Sequence, residues 1–276
     1  MQGGADGIVI RRPHFRHVLP MIALAVTVKP AVAGLQQSCS LASDGMGDGT
    51  AEAMRKPQSV KALDDLGRVR LSDSFYLRDF LHSEVASFHG IPNIPDDPDL
   101  AIAAGRRLCE DLLEPLQAAF GRIAIRSAYR AAAVNAFCNA QQRAGKAGYP
   151  CASNANTAAN HIWDLRDADG RMGATACIVV PWFADRYAAG ADWRGLAWWV
   201  HDHLPCHSQF YFPRNAAFNL TWREAPEGRI DSYIAPRGCL TKPGMANHAG
   251  SHAAWYEGFP PGPQRGSLAL SKTEAT

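Results

Sequence analysis

The chain has 276 residues, 47% of them hydrophobic, enough for one substantial core or one domain with long tails. The formal net charge is +2 with charges interspersed, so nothing argues for nucleic acid as a partner. No apolar run reaches the roughly 18 to 20 residues a bilayer span needs, so the chain does not read as an integral membrane protein.

Arg11, Arg12 and Arg16 precede an apolar stretch, Val18 to Val28, and the small residues Ala31-Val32-Ala33. This is the form of a secretory signal and would make the protein exported or periplasmic. Pro20 interrupts the run and Lys29 follows it. The alternative is translation from Met54 and a cytoplasmic protein. Three segments result: 1–58, a disordered tail or signal-like segment; 59–224, the domain; and 225–276, an irregular extension rich in His, Gly and Pro.

Ordered structure is expected from about Val60. Ser72 or Asp73 can cap a helix whose apolar stripe is Tyr76, Leu77, Phe80, Leu81 and Val85. Three prolines make Gly90 to Asp99 a loop, and Asp97-Pro98 starts the next helix. That helix carries Leu108, Leu112, Leu116 and Phe120, with a kink expected at Pro115 and an end at Gly121. Ile123 to Ser127 alternates as a strand, Ala131 to Gln142 reads as a helix, and 143–172 as a long polar loop. Ala174 to Val180 is apolar throughout, the mark of a central strand. Helices from Pro181 and from Trp193, the second capped by Asp192, follow, then strands at Phe210 to Phe212 and Ala216 to Trp222. Helices come first and strands later, so the fold class is α+β: a small antiparallel sheet packed by helices. Seven scattered cysteines with no CxxC pair predict mostly free, buried thiols.

Ser127-Ala128-Tyr129-Arg130, then Asn135, an Asn-rich loop ending at His161, the strand from Gly173 and a last strand ending in Trp222 occur in that order. This resembles the zinc D-Ala-D-Ala carboxypeptidases and cell-wall endopeptidases, which share the hedgehog-type fold. The resemblance spans about Asp73 to Trp222. It implies hydrolysis of peptidoglycan stem peptides at a zinc-bound water. It also implies Arg130 as the group that stabilises developing charge, and Ser127, Tyr129 and Asn135 near substrate. His161 takes the place of the first zinc ligand, Cys177 that of the Asp ligand and Asn219 that of the last His. Gln209 takes the place of the general-base Glu.

These substitutions set two expectations side by side. Asn is a poor zinc ligand and Gln has no useful basicity, whereas a deprotonated Cys binds zinc well. In the first reading the zinc set is rebuilt around His161, with Asp164 (or Asp167 or Asp169) as the carboxylate and a histidine from elsewhere. His201, His203, His248 and His252 are the available imidazoles, with Cys239 nearby. In the second the metal is lost and the cleft binds a peptide or glycan without cleaving it.

Overall fold

The apolar run after Arg171 becomes β2, Gly173–Val179, buried at every residue. In this computed structural model, which describes residues 54–263, β2 lies inside a six-stranded sheet. The other strands are β1 (Ala124–Ser127), β3 (Ser208–Tyr211), β4 (Phe218–Arg223), β5 (Arg229–Ser232) and β6 (Gly238–Thr241). Their spatial order is β1-β2-β4-β3-β5-β6. Every neighbouring pair is antiparallel except β3 and β5. The fold is mixed α+β with an open, mostly antiparallel sheet, and no described helix is long and apolar enough to cross a membrane.

Register decides which residues meet. Ala176 pairs with Leu220, which pairs with Gln209, and this row faces the core. Cys177 pairs with Asn219, which pairs with Phe210, and this row faces a cleft. The period of two in a strand separates neighbours onto opposite faces.

The helices are α1 (Val60–Gly67), α2 (Glu84–His89), α3 (Pro98–Leu108), α4 (Glu114–Phe120), α5 (Ala132–Arg143), α6 (Asn154–Thr157), α7 (Pro181–Ala188) and α8 (Trp193–His203). The caps expected for α3 and α8 are in place: Asp97 accepts from Leu100 N at 3.0 Å and Asp192 from Arg194 N at 2.9 Å. Pro115 is accommodated by a π turn, Cys109–Leu113, between α3 and α4. The widened turn relieves the clash and lost hydrogen bond that proline brings to a regular helix.

The helix expected over 73–85 does not form as one piece. Leu77–Phe80 is a 3-10 turn, and α2 restarts at Ser83, whose Oγ accepts from Ala86 N. The carbonyls of Phe80 and Leu81 are taken by Tyr129 N at 3.1 Å and Asn93 Nδ2 at 2.9 Å. Those distant partners replace the helical ones.

The stretch after Glu224, expected to be irregular, contributes β5 and β6 to the sheet and then returns over α8. Trp199 Nε1 donates to Pro260 O at 2.8 Å, and the Phe259 ring packs among Phe120, Trp182 and Phe183. Gly195 on α8 leaves room for this return, because a Cβ there would lie 2.9 Å from Trp255 O. Trp193, Trp198 and Trp199 are buried in the core, as their helical spacing suggests.

Cysteine usage departs in one respect from free thiols alone. Cys138 and Cys151 form a disulfide between α5 and the polar loop. Cys109, Cys177 and Cys206 are free and buried, and Cys239 is free and exposed. The signal-like segment at 11–33, the alternative tail reading of 1–53, and Cys39 lie outside the described residues.

Candidate functional site

A cleft of about 610 Å³ opens beside β1, β2 and β4, between α2 and the polar loop. A register shift between Ile125 and Ser127 in β1 lets Arg126 and Ser127, successive residues, both line it. Arg130, His161, Cys177 and Asn219 line it as well.

His161 is presented by a tightly pinned loop. Ala159 has φ of 49°, a left-handed conformation that costs a residue with a Cβ about 1–2 kcal/mol. Its N–H donates to Leu165 O at 2.7 Å and its carbonyl accepts from Arg223 Nε at 3.1 Å. Gly173 lets β2 pass this loop closely, since a Cβ there would lie 2.3 Å from Ala159 O. Arg130 N donates to His161 O at 2.8 Å. His161 Nδ1 lies 2.8 Å from Ala128 O; a carbonyl only accepts, so Nδ1 carries the hydrogen and Nε2 keeps its lone pair. Loss of solvation, then the nearby Arg130 guanidinium, holds this imidazole at about 4, well below its ordinary 6.5.

Arg130 is held from behind. Its Nη1 donates to Asn135 Oδ1 at 3.0 Å and to Cys151 Sγ at 3.2 Å. Asn135 is fully buried and donates to Ala152 O and Asn154 Oδ1, at 3.0 and 2.8 Å. Asn135, expected to touch substrate, positions the arginine and closes the loop instead. The disulfide supports the same corner.

Three more expected site residues lie in the framework. The Tyr129 ring is buried edge-on against Trp163, and its hydroxyl donates to Asp164 Oδ1 at 3.1 Å. Asp164 Oδ2 accepts from Asp96 N at 2.7 Å, so this carboxylate braces the lead-in to α3 rather than pairing with His161. Burial raises the Asp164 carboxyl above its usual range despite these hydrogen bonds. Gln209 is wholly buried in the core row: its Nε2 donates to Ala197 O at 3.1 Å and its Oε1 accepts from Tyr211 OH at 2.9 Å. The cleft-facing residue on β3 is its neighbour Phe210. Asp167 and Asp169 lie in a turn where Asp167 accepts from the Asp169 and Arg171 N–H groups and Asp169 pairs with Arg171.

His82, Glu84, His161, Cys177 and Asn219 line the cleft as potential ligands, but among the described residues no three His, Cys, Asp or Glu groups there come close enough together to hold a metal. Burial raises the Cys177 thiol above its ordinary value, with Arg126 opposing that rise. Missed in the sequence were Arg126, Glu84 at the start of α2, and the aromatic wall of Phe210, Phe212 and Tyr233. Phe210 and Tyr233 meet edge-to-face at 4.7 Å. Alternation of Arg126 with the core residues Ile123 and Ile125 was the available signal for the arginine. The wall had none, because Tyr233 comes from the segment after Glu224.

A second group lies on α8. His201, Asp202 and His252 each offer one ligand atom within 4.8 Å of the others, close enough to hold a metal ion. None of the three lines the cleft. His203, two residues on, turns to another face, with Nδ1 donating to Trp199 O at 2.8 Å. A second hollow, about 660 Å³ between α1 and α2, is bordered by Leu63, Leu81, Ala86 and Ile91; its Arg78 and Asp64 pair with each other at 3.2 Å.

No family model, curated protein or solved structure matches this chain.

Proposed function

We propose that the cleft binds a short peptide carrying a free carboxylate, of the kind that ends a peptidoglycan stem, and does not cleave it. The observation that carries this is the placement of the acid and base candidates. Asp164 and Gln209 are spent in the framework and β3 presents Phe210 where a general base is needed. Glu84 lines the cleft with Arg126 and Arg130, but among the described residues no three His, Cys, Asp or Glu groups there come close enough to hold a metal. Arg126 and Arg130 suit a carboxylate, since charge-assisted and bidentate hydrogen bonds to guanidinium are the strong ones. Phe210, Phe212 and Tyr233 suit the apolar parts of a peptide.

Hydrolysis on a scaffold resembling the zinc D-Ala-D-Ala carboxypeptidases is the competing reading. It needs three protein ligands and an open position for water. His161 with a neutral Cys177 and Asn219 is a weak set for that chemistry. Zinc, where this chain takes it, finds imidazole and carboxylate together on α8 rather than in the cleft. The Cys138–Cys151 bridge belongs with an oxidising compartment, which suits a protein that meets murein.

Calorimetry with a D-Ala-D-Ala peptide and its C-terminal amide tests the proposal. The acid binds and the amide binds at least about tenfold more weakly, as expected for loss of one charge-assisted contact. Arg126→Ala weakens the acid by a similar factor, because this exposed residue has no framework role. Release of D-alanine with added zinc, abolished in His161→Ala, would instead establish the peptidase.

A further inference from the structure

The group on α8 is independent of what the cleft binds. His201 and Asp202 occupy the last turn of α8, and His252 comes from the returning C-terminal segment. Asp202 Oδ1 lies 2.7 Å from His252 Nδ1 and 3.4 Å from His201 Nδ1. Its other oxygen, Oδ2, accepts from His252 N at 2.7 Å and from Tyr256 OH at 2.9 Å. Trp198 stacks flat on the His252 ring at 3.7 Å and meets His201 edge-on at 5.3 Å. Both rings are therefore oriented by packing, and the carboxylate by two further donors.

We propose that His201, Asp202 and His252 form a binding site for a divalent transition metal, zinc by preference, that staples the C-terminal segment to α8. Two imidazoles and a carboxylate are borderline ligands that suit zinc, and they make a poor site for calcium or magnesium, which want an all-oxygen shell. A tetrahedral ion holds such ligands at about 2.0–2.1 Å and so spaces them roughly 3.3 Å apart. The two carboxylate–imidazole separations, 2.7 and 3.4 Å, lie within an ångström of that spacing, and the two imidazole ligand atoms are within 4.8 Å of each other. His248 completes the arrangement: its Nδ1 lies 3.2 Å from His201 Nε2. A ring that binds metal through Nδ1 carries its hydrogen on Nε2, and His248 is the acceptor for it. Such outer partners orient a ligand and set its basicity.

The staple has a defined anchor and a defined cargo. Asp202 and His201 belong to a helix whose other face is core, so the ligands on α8 are rigid. The segment they would hold already packs its Phe259 ring against Phe120 and Trp182. The ion would add a bond between elements about 50 residues apart in sequence, Asp202 and His252.

Zinc chloride titrated into the metal-stripped full-length protein, with a chromogenic chelator as competitor, tests the site. One equivalent binds at micromolar affinity or tighter and raises the thermal midpoint. His252→Ala loses the binding by on the order of 100-fold, His248→Ala by about 10-fold, and His161→Ala leaves it unchanged. X-ray absorption on the zinc-loaded wild type needs no variant: it shows nitrogen and oxygen at about 2.0–2.1 Å. A sulfur ligand at about 2.3 Å would put the ion on a cysteine and overturn the assignment. So would the absence of binding, or binding that survives in a folded His252→Ala protein.

Discussion

His161 holds a neutral ring between a backbone carbonyl and a buried guanidinium, and this has a consequence for stability. Its folded value of about 4 lies below the ordinary 6.5, so between those values the unfolded chain takes up a proton that the folded chain refuses. The contribution is complete above pH 6.5 and is lost as pH falls toward 4. It amounts to about 1–3 kcal/mol, the lower figures allowing for the water that reaches a half-buried ring. His201 and His207 are also lowered and add slope in the same direction, so the informative quantity is a difference. Denaturant unfolding of His161→Gln against wild type is expected to show a flatter loss of stability across that range. Identical slopes would mean that the ring does not sense its surroundings in this way. At this scale the sequence was legible where a residue type had one obvious task, as with Asp97 and Asp192 at helix starts. It misled where a side chain had two tasks open to it. Asp164 and Gln209 are polar residues near the right positions, and hydrogen bonds to backbone groups far away in sequence claimed both.

The corner that carries Arg130 depends on two elements, α5 and the polar loop after it, joined by Cys138–Cys151 across a separation of 13 residues. Closing a loop of that size is worth about 3 kcal/mol in the chain-entropy picture. Reduction, or Cys138→Ala, is expected to lower the guanidinium-chloride midpoint accordingly and to weaken peptide binding, since Cys151 Sγ is one of the acceptors for Arg130. An unchanged midpoint on reduction would show that Asn135 and Asn139 hold the loop by themselves. Asn139 Nδ2 bonds Cys151 O at 2.8 Å. Most elements could be placed from periodicity and caps, because those are local signals. The pairing of Cys138 with Cys151 was not, since spacing alone does not state which thiols meet. The broken helix at 77–89 was missed for a related reason. Its apolar stripe is helical, but the carbonyls of Phe80 and Leu81 are claimed by Tyr129 and Asn93.

For the whole molecule the main revision concerns where the domain ends. β5 pairs with β3, Ile230 is fully buried, and residues to Phe259 cover α8 and the Phe120 ring. A chain truncated after Glu224 is expected to be insoluble or to lack a cooperative thermal transition by circular dichroism; a cooperative melt near that of the full protein would contradict this. The α+β class, the central β2, the starts of α3 and α8 and the loop that delivers His161 were legible from residues adjacent in the chain. Long-range packing alone turned Phe210 rather than Gln209 to the cleft and set Asp164 against a helix start. It alone brought His252 onto α8 beside Asp202. Strand register and the return path of the C-terminal segment are set by packing between distant residues, and a one-residue difference in register exchanges the core face for the cleft face.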